Sequence, residues 1–161
     1  MSKAALVKRL GAGAAVVVAF VAGKEGFSAV SYLDYGNVPT ACFGETLGVK
    51  MGMKFTRQEC EEKLGNRLGE FMLAVEKCTR PDLPIGPLSS YTSFSYNVGV
   101  NAFCKSTMAS LARQGRYAES CAQFDRWTFI GNKDCRIKSN LCNGIVIRRA
   151  EEKRMCEATN G

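Results

Sequence analysis

Histidine is absent from this chain. Its absence removes the usual general base near neutral pH, the commonest zinc ligand, and every Ser-His-Asp or Cys-His nucleophile. Any catalysis must rest on carboxylates, Tyr, Lys or Cys. Proline is scarce, with 4 in 161 residues, and apolar content is ordinary, so collagen-like and disordered compositions are excluded. Paired Cys-x-x-Cys spacings are missing too. The shortest cysteine gap is Cys135 to Cys142, so no zinc site or other metal site is expected. Acidic residues are the minority charge, 15 against 22 basic, for a net +7. That balance favours an anionic partner such as nucleic acid, anionic lipid or a wall polymer. The Lys and Arg are scattered and match no nucleic-acid motif, which argues against nucleic acid.

The length fits one globular unit plus an N-terminal appendage. Eight cysteines stand at positions 42, 60, 78, 104, 121, 135, 142 and 156. An even and large set of this kind belongs to an oxidising compartment. Spacing selects no full pairing, and only Cys135 with Cys142 is singled out, because the loop between them is short.

Residues 10–23 form an uncharged apolar run, preceded by Lys3, Lys8 and Arg9 in the charge order of a signal sequence. At about 1.5 Å per residue the run spans about 21 Å, short of the roughly 30 Å hydrocarbon core, and its Ala and Gly make it weakly hydrophobic. Positive-inside bias leaves Lys8 and Arg9 in the cytoplasm and everything after Gly23 outside, in agreement with the cysteines. A cleaved signal peptide, a lasting anchor and a buried helix of the soluble fold all compete for this run. A segment that is first a weak anchor and later a helix of the fold satisfies all the constraints, because Glu25 follows it at once.

Residues 29–48 read as a small hairpin, punctuated by Gly36, Asn37 and Pro39. At Thr56 a capping box, Thr56-Arg-Gln-Glu59, opens a helix with Cys60, Leu64, Leu68, Phe71, Met72 and Val75 on one stripe. Pro81, Pro84 and Pro87 end it. Shorter helices are expected from Leu88, Ala102 and Tyr117, then a loop over 129–143 and a final helix from near Ile145. The C-terminal half is thus expected to be all-helical.

Glu25-Gly26 is followed nine residues on by Asp34, inside Tyr32-Leu-Asp-Tyr-Gly36, and six further by Thr40, inside Pro39-Thr-Ala-Cys-Phe-Gly44-Glu-Thr46. Singly, these are a helix end, a turn and a strand residue. Jointly, with Gly after Glu, an aromatic two before Asp and Thr-x-Cys-x-Gly-x-Thr downstream, the pattern resembles the active site of the phage-type lysozymes, glycoside hydrolase family 24. Ser93-Phe-Ser-Tyr-Asn97-Val-Gly99, Ser106-Thr107, Trp127 and Gly144-Ile-Val-Ile-Arg148-Arg149-Ala-Glu-Glu152 extend the resemblance over nearly the whole chain.

The resemblance implies an α+β, lysozyme-like fold in which a small N-terminal β-containing lobe and a larger helical lobe are joined by a long helix, with the sugar polymer bound between them. Residues 1–24 would be a signal-anchor-like segment continuing into the first helix, and 25–161 the catalytic domain. The implied reaction is hydrolysis of the β-1,4 bond between N-acetylmuramic acid and N-acetylglucosamine in peptidoglycan, leading to host cell lysis. Glycoside hydrolysis takes one carboxyl as acid and a second as carboxylate. The resemblance assigns Glu25 as general acid, Asp34 to water activation and Thr40 to water orientation, an inverting scheme in the best-known relatives.

Tyr32, Gly44, Asn97, Ser106 and Thr107 become candidates for substrate binding, with helix capping and packing as the competing roles for the last three. Arg148, Arg149 and Glu152 read as a salt-bridged structural helix. No cofactor is implied. The partners expected are peptidoglycan glycan strands and the host inner membrane, the latter through residues 10–23 until release into the periplasm as a monomer.

Glu45 departs from the pattern, standing where some relatives have His. No cysteine lies in the N-terminal run, so control by a thiol from that segment is excluded. Two rivals remain, a lytic transglycosylase on the same scaffold and a non-catalytic cationic wall-binding protein.

Overall fold

The computed structural model describes residues 3–158. Two compact units divide the chain, residues 1–70 and 71–161. The fold is the α+β type expected, with a small β-containing unit followed by a helical one and the long helix α2 (Arg57–Cys78) running from the first into the second.

In the first unit, α1 (Lys3–Lys24) is the apolar run made into a helix. Among its described side chains Val17, Val21 and Ala22 are buried, whereas Val16 is 46% exposed. The buried stripe is therefore narrow. It lies against α2 at Gly65, where a methyl group would sit 3.6 Å from Val18 Cγ2. Among the described residues no helix is long and apolar enough to cross a membrane. β1 (Ser28–Leu33) and β2 (Pro39–Cys42) form an antiparallel hairpin with Tyr32 opposite Thr40 and a register shift between Ser28 and Tyr32. The chain returns along the other edge of β1, where Ser31 N–H donates to Met53 O (3.0 Å) and Phe55 N–H to Ala29 O (2.8 Å).

The capping box at the start of α2 is formed in both directions. Thr56 N–H donates to Glu59 Oε2 (2.7 Å), and Glu59 N–H donates to Thr56 Oγ1 (3.1 Å). Of the stripe read from sequence, Cys60, Leu64, Leu68, Met72 and Val75 are fully buried, whereas Phe71 is only half-buried and packs edge-on against Tyr96. Cys42 pairs with Cys60, which pins β2 to the first turn of α2.

The second unit is built around α3 (Ile85–Val98), buried over most of its length and packed against the last helix, α7 (Asn143–Glu157). Between them come α4 (Val100–Cys104), α5 (Thr107–Arg113) and α6 (Tyr117–Ala122). Phe94 is the centre of an aromatic cluster, 4.9 Å from Trp127, 5.5 Å from Phe124 and 6.3 Å from Phe103 between ring centroids. Disulfides Cys78–Cys104, Cys121–Cys156 and Cys135–Cys142 complete the pairing. The short loop singled out from sequence is among them.

Two expectations about this half need correction. It is not all-helical. Residues 129–143 are not simply loop, because β3 (Phe129–Ile130) and β4 (Lys133–Asp134) form a small hairpin about Gly131-Asn132. Strands of two residues show no alternation, so only the Gly-Asn turn, with Gly131 at φ +57°, carried that signal. Helices α3, α4 and α7 also begin two or three residues earlier than expected, and α5 is a separate helix opened by the cap at Ser106.

The Tyr91 hydroxyl, deep in this core, lies 2.6 Å from Ser120 Oγ. Burial pushes its ionisation up to about 12, against a smaller opposing pull from Ser120. The folded state thus favours the protonated phenol. That contribution is intact below pH 10 and is lost between pH 10 and about 12, at about 1.4 kcal/mol per pH unit. In an ultraviolet difference titration one of the five tyrosines should ionise two units later than the exposed ones, or together with unfolding.

Candidate active site

The hairpin holds Asp34 and Thr40 through the backbone of a single residue, Val38. Val38 O accepts from Asp34 N–H (3.1 Å) and from the Thr40 hydroxyl (2.9 Å), while Val38 N–H donates to Asp34 Oδ1 (2.9 Å). Gly36 N–H donates to the same Oδ1 at 2.8 Å. The first carbon of a side chain at Gly36 would come into contact with this cradle, 3.4 Å from Oδ1. Asn37 turns the chain at φ +58°, a conformation Asn tolerates well. One carboxylate oxygen of Asp34 is therefore fixed by two backbone donors. Oδ2 has no hydrogen-bond partner among the described residues.

Thr40 is 4% exposed and its proton is committed to Val38 O. Its oxygen can then only accept a hydrogen bond from a further group. Glu25 extends α1 by one more bond, its N–H donating to Val21 O at 2.9 Å. Phe27, two residues on, packs on Phe43 at 5.3 Å, and the Arg57 guanidinium covers both rings at 4.9 and 5.3 Å. The segment leaving Glu25 is thereby clamped to the segment leaving Thr40.

Tyr32 is 45% exposed opposite Thr40. Gly44 lies at φ +90° in the tight 41–45 turn, where Ala41 and Glu45 exchange backbone bonds of 2.9 and 2.8 Å. Glu45, in place of the His of some relatives, is buried and makes an ion pair with Arg67 at 3.7 Å. These two residues help line a pocket of about 340 Å³ with Thr46, Leu47, Lys63, Asn66 and Glu70, which none of the three catalytic candidates lines.

In the second unit the candidates part company. Asn97 Oδ1 accepts from the Arg149 guanidinium. Ser106 caps α5, accepting from Ala109 N–H at 3.1 Å and donating to Phe103 O at 2.6 Å. Ser106 and Thr107 nevertheless line a pocket of about 450 Å³ with Ala102, Lys105, Gln123, Arg126 and Trp127. Lys105, Gln123 and Arg126 were not candidates from sequence. A Lys-Ser-Thr and a Gln-x-x-Arg-Trp some twenty residues apart carry no shared signal until α4, α5 and the turn after α6 pack together. Arg148 and Arg149 form the ion pairs with Glu152 that were expected of a structural helix.

A helical chain with one carboxyl at the end of its first helix and a second in the hairpin that follows has the outline of a lysozyme-type glycosidase, and the similarity to known proteins agrees. The Phage lysozyme family model matches residues 22–152. The chain is 29% identical over 147 residues to the SAR-endolysin of Enterobacteria phage PA-2, covering 89% of this chain and 85% of that one. It is 32% identical over 146 residues to the SAR-endolysin of Pseudomonas phage phiKMV, covering 91% and 89%. A solved structure of P22 lysozyme superposes with a TM-score of 0.73 at 24% identity over 86% of this chain and 93% of that one, which shows the fold. This chain belongs to the phage lysozyme family and is a glycoside hydrolase acting on peptidoglycan.

Proposed function

We propose that the chain is a muramidase that cleaves the β-1,4 bond between N-acetylmuramic acid and N-acetylglucosamine with Glu25, Asp34 and Thr40 as its catalytic residues. The carrying observation is the Val38 backbone, which ties Asp34 and Thr40 together while leaving one carboxylate oxygen of Asp34 and the acceptor capacity of Thr40 Oγ1 available. Glu25 gives its proton to the glycosidic oxygen as the bond breaks. Water adds to the anomeric carbon from the other face, losing one proton to Asp34 Oδ2. Its second hydrogen is held by Thr40 Oγ1, which turns the water's lone pair toward the sugar. A transglycosylase needs no such pair of water-handling groups. Hydrolysis by this route inverts the anomeric centre.

The test is mass spectrometry of fragments released from purified peptidoglycan, with nuclear magnetic resonance of the first-formed reducing end. Hydrated muramic-acid ends of inverted configuration are expected. Anhydro ends would move the chain to the transglycosylases, and retained configuration would make Asp34 a nucleophile. Lys105, Arg126 and Trp127 around Ser106 and Thr107 fit the acidic stem peptide and sugar faces of the same polymer.

The name SAR-endolysin of the relatives, together with the weak apolar run, supports export as a signal anchor followed by release. The host inner membrane is then the first location and the periplasm the second, where the released enzyme acts as a monomer. Two features favour release over permanent anchoring: the run is short, and it is only weakly hydrophobic, so that α1 falls short of a stable membrane span. While residues 10–23 lie in the bilayer, Glu25 sits at its surface, away from Asp34 and Thr40. Replacing Ala15, Ala19 and Ala22 by Leu adds about three CH₂ groups per site, at about 0.8 kcal/mol of burial energy per group. Depolarisation-triggered lysis by that variant should be delayed or lost, and unchanged timing would remove the caging role.

A further inference from the structure

The segment from Phe129 to Cys142 exposes four large apolar side chains: Phe129 (51%), Ile130 (52%), Ile137 (53%) and Leu141 (91%). Interleaved with them are exposed Lys133, Arg136 and Lys138. The only acid of the segment, Asp134, is committed to an ion pair with Arg136 at 2.8 Å. The Arg136 guanidinium also lies 5.7 Å from the Phe129 ring centroid, so charge and apolar surface are contiguous.

The segment is rigidly built. The β3–β4 pairing, the Cys135–Cys142 disulfide and the bond from Asn140 Nδ2 to Asp134 O (2.8 Å) hold it. Leu141 is the least expected residue of the group. It adopts φ +56°, a conformation suited to Gly or Asn, yet presents nearly its whole side chain to solvent. Neither packing nor backbone preference accounts for leucine there.

We propose that this loop is a docking surface for an anionic phospholipid bilayer. Phe129, Ile130, Ile137 and Leu141 enter the headgroup and acyl boundary, and Lys133, Arg136 and Lys138 meet lipid phosphates. The aliphatic side chains decide the partner, because a hydrated glycan strand offers isoleucine and leucine no apolar phase. A second copy of the chain would bring a second set of like charges to the same place. Since the loop is already ordered by its disulfide, docking costs little further conformational entropy. The enzyme would then have a membrane contact independent of α1.

The test uses the full chain with Leu141→Trp and reads the tryptophan introduced at position 141 against the Trp127 background. Because the probe is in the loop, binding through α1 does not mimic it. On vesicles containing phosphatidylglycerol its emission should shift to the blue and be quenched by brominated lipid. Vesicles of phosphatidylcholine alone should give neither effect. Adding Lys133→Gln and Lys138→Gln should weaken the lipid dependence of the signal about thirtyfold, from about 1 kcal/mol per basic residue near an anionic surface. Phe129→Ser with Ile137→Ser should abolish quenching in a protein whose melting is unchanged. An unmoved signal on anionic vesicles, even while the protein sediments with them, would overturn the proposal. So would an equal response to neutral lipid, or a response to peptidoglycan sacculi in place of vesicles.

Discussion

Peptidoglycan treated with the Glu25→Gln protein should release no more soluble fragments than buffer, a loss of about 10²–10⁴-fold for removal of a general acid. The substitution keeps the shape and the backbone bond from position 25 to Val21 O, so the melting temperature should not change. Asp34→Asn makes a second, independent case. Asn retains an oxygen to accept from Gly36 and Val38 N–H, so the hairpin stays formed, but it cannot take a proton from water. A loss of similar size is expected with the fold intact. Thr40 separates water orientation from packing. Thr40→Ser keeps the hydroxyl and should keep most of the activity, whereas Thr40→Ala should lower kcat with little effect on KM. If Glu25→Gln kept a tenth of the activity or more, the assignment of the acid would be wrong and the family resemblance would have to be satisfied by another carboxyl. If it were inactive but also unfolded, Asp34→Asn would still decide whether the hairpin is the site.

How much of this could be read from the chain depends on how local each feature is. The α2 capping box and its apolar stripe lie within a few turns of one helix, and both are seen where the spacing put them. The Asp34–Val38 cradle is similarly local: Gly36, Asn37 and Pro39 mark a turn, and a turn of that kind offers backbone N–H groups to an Asp at its start. Non-local features were closed to this reading. Cys42 meets Cys60, and Cys121 meets Cys156, only because β2 and α2, and α6 and α7, come together in space. The partner of Glu45 was invisible for the same reason, since Arg67 lies nearly three helical turns into α2 and reaches back to the 41–45 loop. The β3–β4 hairpin was missed from the opposite cause. It is so short that a Gly-Asn pair was its whole signature. Lys105 and Arg126 join Ser106 and Thr107 only through the packing of α4, α5 and the turn after α6.

The largest effect on stability is expected at Glu152. Its side chain is fully buried, with Oε1 accepting from Ser93 Oγ (2.7 Å) and Arg148 Nε (3.3 Å) and Oε2 from Arg149 Nη1 (2.5 Å). Arg149 is also fixed by Trp127 O (3.1 Å), by Asn97 and by the face of Phe94, 4.8 Å away. Burial pushes the Arg149 guanidinium below its ordinary value, and Glu152 is the main influence holding it up. Glu152→Gln therefore takes from the buried Arg149 guanidinium the carboxylate that compensates its charge, and takes the same carboxylate from Arg148. Breaking a buried pair in this way costs about 3–5 kcal/mol, a large share of the roughly 5–15 kcal/mol that holds a domain folded. Urea denaturation should show a matching fall in midpoint at unchanged slope. The comparison that isolates the cause is Arg148→Met and Arg149→Met combined with Glu152→Leu, which removes all three charges at once. If the cost comes from uncompensated charge, the triple variant should be more stable than Glu152→Gln. If it comes from lost packing between α3 and α7, the triple variant should be as unstable or worse. The first outcome is expected, because the aromatic cluster around Phe94 already supplies the apolar surface against which methionine and leucine would pack.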